Sequence, residues 1–242
     1  MSERAAEIAE NLRAVRERLD RACAAAGRPP NSVQLLAVTK NFPATDVAQL
    51  VDLGCVAFGE AREQEGTAKV AELARLRPDA RPSWHMLGRL QRNKVRSVAR
   101  WARRVESVDS GRLLSALDNA AGAALSDGTR TTQLEVLIQV SIDGDPSRGG
   151  CPPDAFDVLL DRAAAAEHVR LRGLMAVAPL GSDPGEAFAA VRELWAGIRE
   201  HHPEADELSI GMSTDLEAAV RHGSTCVRVG TALLGARPIA ST

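Results

Sequence analysis

Apolar and polar positions follow two different periods along this chain of 242 residues. Between residues 3 and 26, apolar side chains recur every three or four positions, which predicts an amphipathic helix. Its buried face is predicted to consist of Ile8, Leu12, Val15, Leu19 and Cys23. Gly27 and the Pro29-Pro30 pair end this helix. Short apolar runs then take turns with longer segments of helical period, so the rest of the chain is predicted to alternate strands with helices.

Eight apolar runs have the length and the flanking turn residues of buried strands. They span residues 34–39, 55–58, 83–87, 104–108, 133–140, 171–177, 207–210 and 226–229. Helices are predicted between them at residues 45–53, 62–76, 91–100, 111–125, 153–166, 186–201 and 214–222, and a last short helix follows the eighth strand. The polar segments 143–150 and 179–185 are predicted loops.

The alternation of strands and helices implies a parallel sheet. Eight strand–helix units in a chain of this length match a closed (β/α)8 barrel of the TIM type. An open doubly wound sheet is the alternative, but no GxGxxG follows the first strand, which disfavours dinucleotide binding by such a sheet. We therefore predict one α/β domain over residues 1–242, with an added helix at about 3–26 and a barrel at about 33–237.

The composition is that of an ordinary globular protein, with 45% hydrophobic and 26% charged residues. A formal net charge of −2 gives no global support for binding nucleic acid or a membrane surface. No apolar run approaches the roughly 18 residues of a membrane helix, and the charged N-terminus does not resemble a signal peptide. The four cysteines are scattered without a CxxC pair and are interpreted as reduced thiols. We expect a cytoplasmic protein.

The first predicted strand runs directly into a lysine, in the sequence Leu35-Leu36-Ala37-Val38-Thr39-Lys40-Asn41-Phe42-Pro43. Pro43 cannot continue a central strand, so Lys40 lies at the carboxyl end of a buried strand, where α/β folds place their chemistry. Only three of the 30 Lys+Arg residues are lysines. Unlike arginine, lysine can lose its proton and act as a nucleophile. Lys40 is therefore either a nucleophile or a lysine that extends from a strand end into solvent.

The ends of the seventh and eighth predicted strands combine glycine with hydroxyl side chains. The seventh strand ends in Gly211-Met212-Ser213-Thr214 and the eighth in Gly230-Thr231. Barrels often bind phosphate at these two loops, through backbone N–H groups and hydroxyls. Ordinary helix capping explains one such end, but two adjacent ends of this kind favour a phosphate site.

A reactive lysine and a phosphate site on one barrel face indicate pyridoxal 5′-phosphate (PLP) held as a Schiff base, or a Schiff-base aldolase acting on phosphorylated sugars. Arg228 helps to choose between these two ligands. It alternates with Val227 and Val229 on the eighth strand, so its side chain points to the opposite side of the strand from theirs. An arginine facing the pyridine nitrogen of PLP would keep that nitrogen unprotonated and weaken the ring as an electron sink. The alternative for Arg228 is a structural ion pair.

Six segments at and around the strand ends form a recognisable series. They are Val38-Thr39-Lys40, Phe58-Gly59-Glu60-xx-Glu63-Gln64-Glu65, Trp84-His85-Met86-Leu87-Gly88-x-Leu90-Gln91-x-Asn93-Lys94, Leu171-Arg172-Gly173-Leu174-Met175, Leu208-Ser209-Ile210-Gly211-Met212-Ser213 and Val227-Arg228-Val229-Gly230-Thr231-Ala232. In this order they resemble the YggS/PROSC family of PLP homeostasis proteins, whose fold is similar to the barrel domain of bacterial alanine racemase. The resemblance extends from about residue 6 to residue 237, and the motifs taken together are highly specific.

The resemblance implies that Lys40 carries PLP, that Ser213, Gly230 and Thr231 hold its phosphate, and that Arg228 sits at the pyridine nitrogen. It also implies a single-domain protein that buffers or delivers PLP, with no established turnover. We predict no catalytic and no metal-ligating residue. The full set of predicted cofactor-binding residues is Lys40, Met212, Ser213, Arg228, Gly230, Thr231 and His85.

Two positions depart from the pattern of this family. The family usually reads Phe-Gly-Glu-Asn, whereas Ala61 takes the place of the asparagine here. A polar contact that this asparagine could make near the cofactor is therefore in doubt. Thr39 replaces the commoner serine before the lysine, and this change keeps the hydroxyl.

Three functions are open at this point: a PLP carrier, a PLP-dependent amino-acid racemase or related enzyme, and an aldolase without cofactor. A two-base racemase needs a second proton-transfer group on the opposite face of the ring. The racemases that this barrel resembles take that group from a tyrosine in a second domain, whereas this chain has no tyrosine and ends close to its predicted barrel. His85 is a weak substitute. We therefore expect a monomeric binding protein whose partners are PLP and PLP-dependent apoenzymes, and neither nucleic acid nor a membrane.

Overall fold

A computed structural model of the chain describes residues 2–145, 149–179 and 181–236. Three of the predicted features extend beyond these ranges. They are the middle of the 143–150 loop, residue 180 in the 179–185 loop, and the end of the barrel at residue 237.

The described residues form eight strands and nine α-helices, which alternate after the first helix. The strands are β1 (Gln34–Val38), β2 (Ala57–Glu60), β3 (Ser83–Met86), β4 (Arg104–Val108), β5 (Leu134–Gln139), β6 (Val169–Met175), β7 (Glu207–Ser209) and β8 (Cys226–Val229). The helices are α1 (Glu3–Ala25), α2 (Ala44–Asp52), α3 (Glu63–Leu76), α4 (Val95–Trp101), α5 (Gly111–Ser126), α6 (Pro153–Ala164), α7 (Pro184–His201), α8 (Leu216–Arg221) and α9 (Thr231–Leu234).

The strands are parallel and pair in sequence order, and β8 pairs with β1 to close the barrel. In this register Leu36 lies opposite Arg228, and Val38 lies opposite Gly59. The predicted (β/α)8 barrel with an added N-terminal helix is thus confirmed. Closure also brings the carboxyl ends of β1, β2 and β8 together on one rim, where this fold places its binding sites.

Strand β2 differs from the prediction by two residues at each end. It begins at Ala57, and the Val56 side chain that precedes it is 67% exposed despite its apolar character. It continues through Gly59 and Glu60 because both pair with β3. Glu60 is therefore a fully buried strand residue rather than part of a solvated turn.

The segment before α4 also differs from the predicted helix 91–100. A 3-10 turn occupies Arg92–Lys94, and the α-helix begins only at Val95. The reason is local, because Gln91 has an extended backbone with φ of −76° and ψ of 140°. The chain leaves β3 in an extended conformation and enters its helix later than the apolar pattern suggests.

Helix α1 packs against α2, α8 and α9, on the side where the barrel closes. Ser2 caps its first turn, since the Ser2 hydroxyl accepts a hydrogen bond from the Ala5 amide at 3.2 Å. The predicted apolar face is confirmed, since all five of its members are buried. On the same helix, Asn11 donates to the carbonyl of Leu233 at 3.1 Å, so the added helix supports the loop that follows β8.

The main apolar core lies between the barrel wall and the surrounding helices. A smaller cluster of Leu36, Ala57 and Cys226, with Leu87 packed against it, is separate from this core. Several buried polar side chains lie on the strands, among them Glu106, and the contacts between them are described below. Within the described ranges, no helix has both the length and the apolar character needed to cross a membrane.

Candidate cofactor-binding site

A pocket of about 370 Å³ opens at the carboxyl ends of the strands. Six of the seven predicted cofactor-binding residues line it, and one does not. The six are Lys40, Met212, Ser213, Arg228, Gly230 and Thr231. The structure thus brings together residues from β8 and from the segments that follow β1, β7 and β8, which are far apart in sequence.

Lys40 is half-buried and follows β1 after a single intervening residue. The next residue, Asn41, has a positive φ of 67°, a left-handed conformation that asparagine tolerates better than most residues. The Phe42 amide donates to the Thr39 carbonyl at 3.0 Å and closes a tight turn around the lysine. This turn ends the strand and directs Lys40 into the pocket before α2 begins.

Helix α3 fixes the backbone on both sides of this lysine. The ammonium of Lys69 donates to the Thr39 carbonyl at 2.7 Å, to Glu60 Oε1 at 2.6 Å and to Glu65 Oε1 at 3.0 Å. Thr39 donates its hydroxyl to the same Glu60 oxygen at 2.5 Å, and the Asn41 amide donates to Glu65. We call Thr39, Glu60, Glu65 and Lys69 the α3 clamp. Burial raises the pKa of Glu60 despite the neighbouring ammonium.

The loop after β7 is closed by contacts at both of its ends. Gly211 has a φ of +92°, and a Cβ there would lie 2.3 Å from Ala219 Cβ, so this position requires glycine. Asp215 Oδ1 accepts the Met212 amide at 2.5 Å. Arg18 of α1 donates to the Ser213 carbonyl at 2.6 Å. These contacts fix the loop that carries two of the predicted site residues.

Arg228 is 6% exposed and enters the pocket from β8. Its Nη1 donates to the Ser209 carbonyl at 2.7 Å and to the Ser209 hydroxyl at 2.8 Å. Its Nη2 donates to the Ala176 carbonyl at 2.8 Å. Arginine is effectively always protonated, so these contacts fix a permanent positive charge at the wall of the pocket.

His85 is the predicted residue that the structure does not bring to this pocket. It lies within β3, and it lines a different cavity, of about 410 Å³, at the amino ends of the strands. Its Nδ1 is 2.6 Å from Glu106 Oε1, and its Nε2 is 3.1 Å from the Ser83 hydroxyl. The prediction had the correct strand, but the ring is engaged with Glu106 in the barrel interior rather than facing the pocket.

Comparison with known proteins places the chain among proteins of this fold. The family described as alanine racemase, N-terminal domain, matches residues 8–238. The pyridoxal phosphate homeostasis protein of Mycobacterium tuberculosis is 50% identical over 248 residues, which cover 99% of this chain and 96% of the relative. The protein of the same name from Escherichia coli K12 is 38% identical, over 96% of this chain and 97% of its own length. This chain belongs to the pyridoxal phosphate homeostasis protein family. The resemblance read from its motifs is confirmed.

Solved structures agree with this family assignment. PipY of Synechococcus elongatus with PLP bound is 38% identical, with a TM-score of 0.80 over 94% of this chain and 100% of that chain. Alanine racemase of Corynebacterium glutamicum is 18% identical, with a TM-score of 0.70 over 98% of this chain and 62% of that chain. The second likeness concerns the fold alone.

The departure from the family at Ala61 falls on the wall of the pocket. Val38 and Leu87 line the pocket as well, so this part of the wall is apolar. A Cβ added at Gly88 would lie 2.0 Å from the Ala61 carbonyl oxygen, which shows how closely the loops after β2 and β3 approach each other. A family member with asparagine at this position would present an amide here, whereas this chain presents a methyl group.

Sequence reasoning missed the buried polar residues that support the site. The helical pattern of α3 gives Lys69 the appearance of a surface charge, and its spacing of four from Glu65 is the signal in the sequence that links it to a partner. Ser209 lies between the apolar residues Leu208 and Ile210, which is the signal that it points to the opposite side, whereas Glu106 is followed by Ser107 and lacks such a pattern. The contact between Glu106 and Ser209 could not be predicted, because it joins two strands that are far apart in sequence.

The acid stability of this protein is expected to depend on Glu106. Burial alone would raise the pKa of this carboxyl, but the hydrogen bond and charge of His85, the charge of Arg228 and the hydrogen bond from Ser209 hold it at about 2. The pKa of a glutamate in the unfolded chain is about 4.3. Because the pKa of Glu106 is lower in the folded protein, Glu106 adds to the free energy of unfolding above about pH 4.3, and this contribution is lost as the pH falls toward the folded pKa. The contribution at stake is about 3 kcal/mol.

Urea denaturation of the protein and of Glu106→Gln at pH 6, 4 and 3 measures this dependence. The free energy of unfolding should fall more steeply with acidification in the unmodified protein, because only it can take up this proton on unfolding. Equal slopes in the two proteins would contradict the assignment of the low pKa to Glu106.

Proposed function

We propose that this chain binds PLP in the carboxyl-end pocket, linked to Lys40 as a Schiff base, and that it stores and delivers PLP in the cytoplasm. The observation that carries the proposal is the convergence of Lys40, Arg228 and two hydroxyl-bearing loops on one cavity. The relatives named above are pyridoxal phosphate homeostasis proteins, and the PipY structure holds PLP, which supports the same ligand here.

The residues around the pocket fit the chemical groups of PLP. When bound, PLP supplies an aldehyde that condenses with an amine, and a conjugated ring that draws electrons from it. Lys40 is the amine that lines the pocket, and Ser213, Gly230 and Thr231 suit a phosphate through hydroxyl and backbone donors. Arginine does not lose its proton in proteins, so Arg228 would donate a hydrogen bond to a ring nitrogen placed beside it and would keep that nitrogen unprotonated.

The same arrangement favours a carrier over an enzyme. A ring whose nitrogen stays unprotonated is a poorer electron sink, so a substrate amino acid would gain less activation. We propose a single barrel domain that acts as a monomer and exchanges PLP with PLP-dependent apoenzymes, and we propose no role for nucleic acid or a membrane. Support for the cytoplasm comes from the four cysteines, which the structure leaves as free thiols.

The proposal is tested by adding PLP to the purified protein, reducing with borohydride and mapping the adduct by mass spectrometry. The label is expected on Lys40. Lys69 is only 5% exposed and donates three hydrogen bonds, and Lys94 is paired with Glu63 at 3.6 Å. No adduct, or a label on Lys69 or Lys94, would contradict the proposal and favour a ligand that carries phosphate without an aldehyde.

Turnover is tested separately with the PLP-loaded protein. Exchange of the Cα hydrogen of L-alanine and of D-alanine is followed by NMR in D2O. A carrier is expected to give rates no higher than free PLP in the same buffer. Exchange that exceeds this background and disappears in Lys40→Ala would favour the racemase alternative.

The hydroxyls of the phosphate loops are expected to contribute to affinity but not to the covalent link. Ser213→Ala and Thr231→Val should each raise the Kd for PLP about three- to tenfold, because each removes one hydrogen bond to a charged group. The borohydride label on Lys40 should persist at saturating PLP. Thr129→Val, on the remote loop before β5, is the control and should leave the Kd unchanged. Fluorescence titration measures these constants, and an unchanged Kd in both loop variants would place the phosphate elsewhere.

A further inference from the structure

A chain of polar contacts runs through the barrel behind Arg228. The guanidinium donates to the Ser209 hydroxyl at 2.8 Å, and this hydroxyl donates to Glu106 Oε2 at 2.6 Å. The other oxygen of Glu106 lies 2.6 Å from His85 Nδ1, and His85 Nε2 lies 3.1 Å from the Ser83 hydroxyl. We call Arg228, Ser209, Glu106 and His85 the interior relay. It connects the proposed ligand pocket with the cavity at the amino end of the barrel.

The direction of each hydrogen bond in the interior relay is fixed by chemistry. An ionised carboxylate only accepts, and a guanidinium only donates. The Ser209 hydroxyl must therefore donate to Glu106 while accepting from Arg228, and His85 must donate from Nδ1 to Glu106. Both carboxylate oxygens thus have a donor, and each of the two serine contacts is charge-assisted.

The carboxylate of Glu106 is fully buried, so its charge requires compensation. Charged or titratable groups face it from three strands, and they are His85 on β3, Arg104 on β4, and Cys226 and Arg228 on β8. Arg104 is already paired with Glu135 at 2.8 Å and with Glu207 at 2.9 Å. The guanidinium at the pocket and the imidazole are therefore the groups left to balance this carboxylate.

We infer that Glu106 is a positioning residue, which orients Arg228 through the Ser209 hydroxyl and partly balances the guanidinium charge where it meets the ligand. This inference rests on the proposed function, because the ligand is taken to be PLP. The alternative is that Glu106 only stabilises the barrel. The two roles differ in one consequence, since only a positioning role transmits a change at Glu106 to the electronic state of the bound ligand.

The test compares Glu106→Gln with Glu135→Gln, both loaded with PLP. The substitutions are chemically identical, and both remove a buried carboxylate from adjacent strands, but Glu135 contacts Arg103 and Arg104 rather than Arg228. The measured quantity is the pH at which the visible absorption band of bound PLP loses half its intensity. Removing the negative charge behind Arg228 leaves the guanidinium charge less balanced and disfavours the protonated form of the ligand, so this midpoint should fall by about 0.5–1 pH unit in Glu106→Gln. It should stay within about 0.2 pH unit in Glu135→Gln.

Ser209 provides a second test that does not remove a buried charge. Ser209→Ala removes the hydroxyl that connects Arg228 to Glu106, and the Kd for PLP is expected to rise about three- to tenfold. Ser209→Thr keeps the hydroxyl and should restore the Kd to within about twofold. Thermal melting first establishes that both variants are folded. If Ser209 had only a structural role, the two folded variants would then have the same Kd for PLP.

The outcomes separate this inference from the function on which it rests. A visible band in the unmodified protein, with a midpoint that moves only in Glu106→Gln, supports the inference. Equal midpoints in both glutamine variants, or an unchanged Kd in Ser209→Ala, overturn it and leave Glu106 as a structural residue. Absence of any visible band in the unmodified protein would instead overturn the proposed function, and the inference with it.

Discussion

Replacing Lys40 with alanine is expected to abolish the visible band of bound PLP and to raise the Kd at least about 100-fold, equivalent to about 2.7 kcal/mol. The reason is that Lys40 is the lysine that lines the pocket, so no other amine there can bond to the aldehyde. Weak binding should remain through the loops after β7 and β8. Absorption spectroscopy and equilibrium dialysis at increasing PLP concentrations measure both effects.

Two further variants show whether the band is lost because the amine is missing or because the positive charge is missing. Lys40→Arg keeps a positive charge but has no amine that can lose its proton, so it should lose the band as completely as alanine does. Lys94→Ala removes a lysine that lies outside the pocket and is 35% exposed, and it should bind like the unmodified protein. If Lys40→Arg retained the band, or if Lys94→Ala lost it, the assignment of the anchor would be wrong.

The position of Lys40 could be predicted because it depends on local signals. An apolar run stopped by Pro43 locates the end of a strand, and the TIM-barrel topology places all carboxyl ends of the strands on one rim. The glycine and hydroxyl residues after β7 and β8 are local signals of the same kind. Barrel closure then brings these distant loops together, and no side-chain detail is needed to foresee it.

The depth of a side chain inside the barrel could not be predicted in this way. Alternation with apolar neighbours shows that His85 and Arg228 each point to the side of the strand opposite those neighbours. It does not show how far below the rim each side chain lies. That depth depends on the tilt and stagger of the strands, which arise only on closure. The prediction therefore brought His85 to the pocket, whereas the structure engages it with Glu106 in the interior.

The buried ion pair between Glu60 and Lys69, on the outer side of the strands, could not be predicted from the sequence either. Glu60 follows a short apolar run and looks like the start of a polar turn, and Lys69 looks like an exposed helical residue. The structure joins them at 2.6 Å with exposed side-chain fractions of 0% and 4%. A buried ion pair formed between a strand and the next helix has no signature in either element alone, because each partner looks solvated until the other is placed.

Replacing Lys69 with methionine is expected to lower the free energy of unfolding of the PLP-free protein by about 3–5 kcal/mol. The substitution leaves the buried Glu60 carboxylate without its ammonium and breaks the α3 clamp. The Thr39 carbonyl also loses one of its two donors and keeps only the Phe42 amide, so the turn that presents Lys40 is loosened. Urea denaturation measures the stability, and the rate of borohydride-trapped labelling at Lys40 should fall along with it.

The direction in which the stability loss of Lys69→Met changes with pH shows whether the Glu60 charge causes it. Burial raises the pKa of Glu60 in the folded protein, and removing the ammonium raises it further. A carboxyl with a raised folded pKa contributes stability at low pH that is lost as the pH rises through that pKa. The destabilisation of Lys69→Met relative to the unmodified protein should therefore be larger at pH 8 than at pH 5.

A second substitution separates lost charge compensation from lost packing. Glu60→Gln combined with Lys69→Met removes the uncompensated charge and keeps an acceptor for the Thr39 hydroxyl, so it should recover more than half of the lost stability. Lys94→Met, which breaks a partly exposed pair with Glu63, should cost no more than about 1 kcal/mol. If the double variant were no more stable than Lys69→Met, the buried charge would not be the cause. The α3 clamp would then stabilise the Lys40 turn through the hydrogen bond from Lys69 to the Thr39 carbonyl, which both variants lack.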